Sequence, residues 1–113
     1  MSKKPDFVIV DGKAVGQIKH GFIIGGQAHK DFVLRESTVE DLLDAELLAD
    51  VTKPLNFAAQ LMVRQLEQVG GFDGPVTIGM IRKLKPADWR ILRDAQTKVD
   101  ALGEDEPGSS EES

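Results

Sequence analysis

The chain predicts an α+β fold: a small N-terminal antiparallel β-sheet or hairpin, then a bundle of three to four helices, then an acidic tail with no structure of its own. Three observations carry the prediction. Two turn signals, Asp11-Gly12 and Gly25-Gly26, separate runs of β-branched and aromatic residues in the first 35 positions. From Thr38 onward the apolar residues recur every three to four positions, the period of a helix. Glu104 to Ser113 holds no large apolar residue and so has nothing to bury against the entropy of ordering it. With 113 residues the chain fits one domain over residues 1–102, β-rich over 6–35 and helical over 38–102, with 103–113 as the tail.

Taken in order, Phe7-Val8-Ile9-Val10 reads as a strand entering a type I′ turn, because Asp-Gly readily supplies the positive φ angles this turn needs. Ile18 to Ile24 and Gln27 to Arg35 form the next hairpin. A two-residue turn at Gly25-Gly26 sets Phe22 opposite His29, Ile18 opposite Val33 and His20 opposite Asp31. At Leu34-Arg35-Glu36-Ser37-Thr38 the period changes, and Ser37 or Thr38 can cap a helix because each has an acid three positions on. That helix runs from Val39 to about Leu48, with Val39, Leu42, Leu43 and Leu47 as an apolar stripe opposite Glu40, Asp41 and Asp44. Thr52-Lys53-Pro54 interrupts it. A second helix spans about Leu55 to Val69, with Leu55, Ala58, Ala59, Met62, Leu66 and Val69 at helical spacing and Gly70-Gly71 as its end. A short helix over Val76 to Leu84, weakened by Gly79, precedes a last one from Pro86 to about Leu102, with Trp89, Leu92, Ala95, Val99 and Leu102 facing inward and Gly103 ending it.

Charge and composition exclude several function classes. Five of the 19 acidic residues lie at Glu104, Asp105, Glu106, Glu111 and Glu112, which leaves 14 acidic against 14 basic residues in the first 102 positions. A neutral body lacks the electrostatic footprint of a general nucleic-acid binder. The absence of cysteine removes disulfides, thiolate metal sites and cysteine nucleophiles, and a cytoplasmic chain is the default. No apolar run approaches the roughly 20 residues of a membrane span, so no membrane insertion is expected.

Candidate chemistry is sparse. His20 and His29 share a hairpin, but no third ligand recurs at a spacing that would complete a zinc site. Glu36, Glu40, Asp41, Asp44, Glu46 and Asp50 form a dense acidic segment, of which the first few are explained by the helix macrodipole and the rest by a solvated face. Gly70-Gly71-Phe72-Asp73-Gly74 follows a helix, whereas phosphate-binding loops follow a strand. Catalysis and cofactors are not expected. Arg82, Lys83, Lys85, Arg90 and Arg93 beside a helix-turn-helix pattern supply a minority reading as a small DNA-binding regulator, opposed by the acidic first helix. Trp89, the only tryptophan, suits the core or an exposed anchor for a partner.

The order of these parts carries a resemblance. The strand exit Leu34-Arg35-Glu36, the helix start Thr38-x-x-Asp41-Leu42-Leu43, a helix such as Ala58 to Leu66, and Leu84-x-x-x-Asp88-Trp89-x-x-Leu92 together resemble the small tail assembly chaperones of Mu-like, contractile-tailed phages. Ser37 stands where many such proteins have proline and keeps the capping role. Met1 to about Val15 is not covered. The resemblance implies an assembly factor, not an enzyme. It would act in the host cytoplasm, bind the long helical tape-measure protein, keep it soluble and help tail-tube subunits polymerise around it, as a monomer or a homo-oligomer. It also implies that a longer product can arise by frameshifting near the end of the reading frame. As a partner-binding surface we expect Glu40, Asp41 and Asp44 with neighbouring exposed apolar residues, and Trp89. A structural tail or baseplate accessory protein of the virion is the alternative reading.

Overall fold

Two tight turns organise the sheet. Asp11 and Gly12 have φ of 53° and 78°, and Gly25 and Gly26 have φ of 59° and 81°, the paired positive values of type I′ turns whose twist matches the flanking strands. The computed structural model describes residues 5–49 and 52–105. Strands β1 (Phe7–Val10), β2 (Lys13–Ile24) and β3 (Gln27–Leu34) form a meander, followed by helices α1 (Val39–Leu48) and α2 (Pro54–Gln65). Strand β4 (Leu66–Val69) and helices α3 (Ile78–Arg82) and α4 (Pro86–Asp105) complete the α+β architecture. The sheet order is β1-β2-β3-β4, antiparallel throughout.

The helices cover one face of the sheet. Ala14, Ile18 and Phe22 of β2, Phe32 and Leu34 of β3, and Leu66 and Val69 of β4 bury against Met62, Ile81, Ile91, Leu92, Ala95 and Val99. Fully burying side chains of this size contributes about 1.5–3 kcal/mol each, so this layer carries most of the stability.

Four expectations are corrected. Phe22 does oppose His29, but Val33 opposes Val15 instead of Ile18, and Asp31 opposes Gln17 instead of His20. The cause is a large bulge: the four residues Ile18 to Gly21 of β2 stand against Lys30 of β3 alone. Buried Asp88 of α4 holds this bulge. Its carboxylate accepts hydrogen bonds from the backbone N–H groups of Lys19 at 2.7 Å, His20 at 3.1 Å to each oxygen, and Gly21 at 3.0 Å. Gly21 is required there, since its φ is 99° and a Cβ would lie 3.2 Å from Ala28 and His29.

The second correction is at Leu66 to Val69, which pairs with β3 instead of continuing α2. Leu66 and Val69 are three apart, as on a helix, yet both are buried in a strand because the register shifts by one residue around Glu67. Third, Leu55, expected on the apolar stripe of α2, and Leu102, expected to face inward on α4, are 65% and 39% exposed. Fourth, α4 runs through Gly103 to Asp105, beyond its expected end, while α3 is shorter than expected. The remainder of the expected tail lies outside the described residues. Among the described residues no helix is long and apolar enough to cross a membrane.

Candidate protein-docking face

The exit from β3 fixes α1. Thr38 is its N-cap: Thr38 Oγ1 accepts from the Asp41 N–H at 3.2 Å and Asp41 Oδ2 accepts from the Thr38 N–H at 2.9 Å, a reciprocal capping box. Arg35 completes the joint. Its two terminal nitrogens donate to Asp41 Oδ2 at 2.7 Å and Oδ1 at 3.1 Å, and also to the carbonyls of Glu36 and Arg64. The guanidinium holds the Asp41 carboxyl below the usual carboxylate range, outweighing the burial that pushes the other way, and the Thr38 N–H adds to the effect. The same hydrogen bond raises Arg35 above its ordinary value.

A buried polar network extends from this joint. Gln65 Nε2 donates to the Arg35 carbonyl at 2.9 Å and to Asp100 Oδ1 at 3.3 Å, and Asp100 also accepts from the Ser37 N–H and hydroxyl. Gln96 donates to Gln65 Oε1 at 2.8 Å and to the Ala58 carbonyl at 3.2 Å. Gln65 and Gln96 are almost fully buried, and each exchanges hydrogen bonds, so the network locks the strand exit, α2 and α4 in one arrangement.

With Asp41 and Ala45 buried toward the body, α1 turns its stripe outward. Val39 is 69%, Leu43 58% and Leu47 83% exposed, one above another at i, i+4 and i+8, with Leu42 and Leu48 also exposed. Single exposed leucines are ordinary; a contiguous row on one helix marks an interaction site. Glu40 and Glu46 are exposed and Asp44 is half-buried; none of the three forms an ion pair among the described residues. The face is therefore apolar with a carboxylate border.

The expected site residues separate on this geometry. Glu40 and Asp44 border the α1 face. Asp41 lies on its inner side, committed to Arg35 and the cap. Trp89 is half-buried, packed against the core, and sits eleven residues before Asp100 on α4, about 16 Å from the level at which α4 meets the α1 joint. It does not join the face. Among the described residues no three His, Asp or Glu side chains gather as a metal site around His20 and His29 or elsewhere. Sequence reasoning missed Gln65, Gln96 and Asp100 as the groups that order this region, and Asp88 as the group that holds the bulge of β2. The available signal was polar residues at core spacing, Gln65 after Met62 and Gln96 between Leu92 and Val99.

Comparison with known proteins places this chain in a family. The family described as tail assembly protein gp41 matches residues 18–109. The Mu-like prophage FluMu protein gp41 of Haemophilus influenzae is 31% identical over 100 residues, covering 77% of this chain and 79% of that protein. The probable tail assembly protein gp41 of Escherichia phage Mu is 31% identical over 81 residues. That alignment covers 62% of this chain and 56% of the phage protein, and the corresponding FS-gp41 protein is covered over 43% of its length. This chain thus spans about half the length of the two phage Mu relatives. No solved structure matches it. The match takes in the bulge of β2, the Arg35–Asp41 joint, the outward face of α1 and Asp88, and the chain belongs to the Mu-type tail assembly protein gp41 family.

Proposed function

We propose that this chain is a tail assembly chaperone that binds helical segments of the tape-measure protein through the outward face of α1, keeps that protein soluble in the host cytoplasm, and assists the tail tube to assemble around it. The observation that supports this reading most directly is the solvent-facing row Val39, Leu43 and Leu47, with Leu42 beside it, on a helix whose inner side is anchored by Arg35 and Asp41. A long, largely helical client presents amphipathic stripes that collapse on one another when uncovered. A rigid helix with an apolar row is the matching cover, in the manner of helix-to-groove and helix-to-helix recognition.

The magnitudes suit a reversible cover. Each of these side chains keeps more than a third of its surface in water, so covering one yields roughly 1 kcal/mol, and the row several kcal/mol before ordering costs are subtracted. That amounts to weak binding per copy, strengthened by several copies along one client. Release as tube subunits arrive then requires no energy source. Glu40, Asp44 and Glu46 border the row and favour client segments with basic flanks.

Co-expression with the tape-measure protein encoded nearby tests the proposal. The expected result is soluble client that co-purifies with this chain, and loss of both solubility and co-purification in the double variant Leu43→Lys, Leu47→Lys. An equally insoluble client with no complex would overturn it. Stoichiometric presence of the chain in purified particles would transfer the assignment to a structural tail component.

A further inference from the structure

The two edges of the sheet are finished differently. β4 carries Glu67 and Gln68 and a register shift, with Glu67 paired to Lys13 at 2.8 Å; charge and bulges are the devices that keep sheet edges from pairing. β1 has none of them. Phe7-Val8-Ile9-Val10 contains no charge, no proline and no bulge, and Val8, Ile9 and Val10 are 50%, 39% and 47% exposed. Its hydrogen-bonding direction follows from the turn. Val10 closes the hairpin opposite Lys13, so the pairing with β2 uses the backbone groups of Val10 and Val8 and continues to Asp6, whose carbonyl accepts from the Gln17 N–H at 3.0 Å. The N–H and C=O groups of Phe7 and Ile9 point away from the sheet.

We propose that β1 is a self-association edge, at which two copies of the chain join antiparallel about a two-fold axis through Val8 to make one eight-stranded sheet. The register follows from the residues. With the axis at Val8, Phe7 of each copy exchanges its outward pair of hydrogen bonds with Ile9 of the other. Moving the axis toward the N-terminus brings Ile9 against Pro5, which has no N–H. Moving it toward the C-terminus brings Phe7 against Asp11, which is in the left-handed turn at φ 53°. An intermediate register opposes Asp6 with Asp11 and matches outward with inward groups. The side chains agree with this choice. Val8, Val15 and Val33 form one row across β1, β2 and β3 on the face away from the helices, and the two-fold continues it into the same three valines of the second copy. Identical apolar strands pair without opposing charges, which makes a second copy the fitting occupant. A four-residue edge offers well under the roughly 1,000 Å² of a stable interface, so the association is weak and concentration-dependent. It is independent of the α1 face and of what that face binds.

Single-cysteine cross-linking tests the register, because the chain has no cysteine of its own. In the proposed dimer the two Val8 Cα atoms are about 4.5 Å apart, a non-hydrogen-bonded pair within disulfide range. The two Val10 residues are displaced by four positions, about 13 Å along the strand, out of range. Under mild oxidation Val8→Cys is expected to form covalent dimer roughly tenfold faster than Val10→Cys, or more. Equal rates, or no dimer from either, would overturn the proposal. Sedimentation of the full chain gives a second reading: concentration-dependent dimer in the native sequence, monomer in Val8→Lys, dimer retained in Leu43→Lys. Both substituted positions are exposed, and circular dichroism checks that each variant is folded. A native chain that stays monomeric, or a dimer that survives Val8→Lys, would equally refute it.

Discussion

At the scale of single residues, two buried carboxylates do different work. Asp88 neutralises three backbone donors that the bulge of β2 would otherwise leave without a partner in the sheet. Asp88→Asn keeps the shape but replaces one accepting oxygen with a donor facing other donors. A hydrogen bond to a charged group contributes about 1.5–3 kcal/mol, and an orphaned buried donor costs about 1–3 kcal/mol, so a loss of about 2–4 kcal/mol is expected in urea unfolding. Asp41 makes its contribution through Arg35 and the cap of α1, and there the dependence on pH has a definite sign. Its folded carboxyl titrates below the unfolded one, so the stabilisation is complete above the ordinary aspartate pKa of about 3.9 and is lost as pH falls from there through the lower folded value. Asp41→Asn cannot titrate. The stability gap between the native chain and this variant should therefore be constant near neutral pH and narrow below about pH 4; a gap that widened on acidification would contradict the assignment.

At the scale of elements, α1 and β4 show what the sequence could and could not convey. The hairpin turns, the start of α1 and the start of α4 at Pro86 were legible because each depends on local chemistry: paired positive φ, a reciprocal cap, a proline at the first helical position. β4 was not, because Leu66 and Val69 acquire a common face only through a bulge imposed by pairing with β3, more than thirty residues away. The same holds for the bulge in β2, whose cause, Asp88, stands 67 residues from Gly21. For α1 the helical period is legible in the sequence, and only packing reveals that Asp41 and Ala45, not the leucines, face inward. The fold sets Glu40 and Asp44 beside the outward row, commits Asp41 to Arg35 and the cap, and packs Trp89 against the core. These placements predict opposite outcomes for similar changes. Leu47→Ala on the outer row should shift stability by no more than about 0.5 kcal/mol. Leu66→Ala in β4 should cost about 2–5 kcal/mol, as buried leucines do. Denaturation midpoints of the two variants compare them directly, and a costly Leu47→Ala would mean that the row is packed within the molecule.

At the scale of the whole molecule, the basic surface and the apolar row of α1 are kept apart. Basic residues Arg82, Lys83, Lys85 and Arg90 are exposed around the junction of α3 and α4, while the apolar row and its carboxylates occupy α1. The two regions make different demands on a partner, and salt distinguishes them. A duplex bound through these four cations would release counterions and lose affinity steeply, by roughly a thousandfold or more for a tenfold rise in salt. A helical client held by the α1 row depends on buried apolar area, which salt does not weaken. Only an attraction of Glu40, Asp44 and Glu46 for basic flanks of such a client would be screened, over a Debye length of about 10 Å at 0.1 M. Client binding is therefore expected to fall less than about tenfold between roughly 50 and 500 mM salt, with a negative heat-capacity change from apolar burial. Titration calorimetry against a client-derived amphipathic peptide at two salt concentrations measures both quantities. A steep salt dependence with no heat-capacity change would place the contact on the basic junction and remove α1 from the interaction, whereas the expected pair of values ties recognition to α1, whose row of Leu43 and Leu47 the fold turns outward.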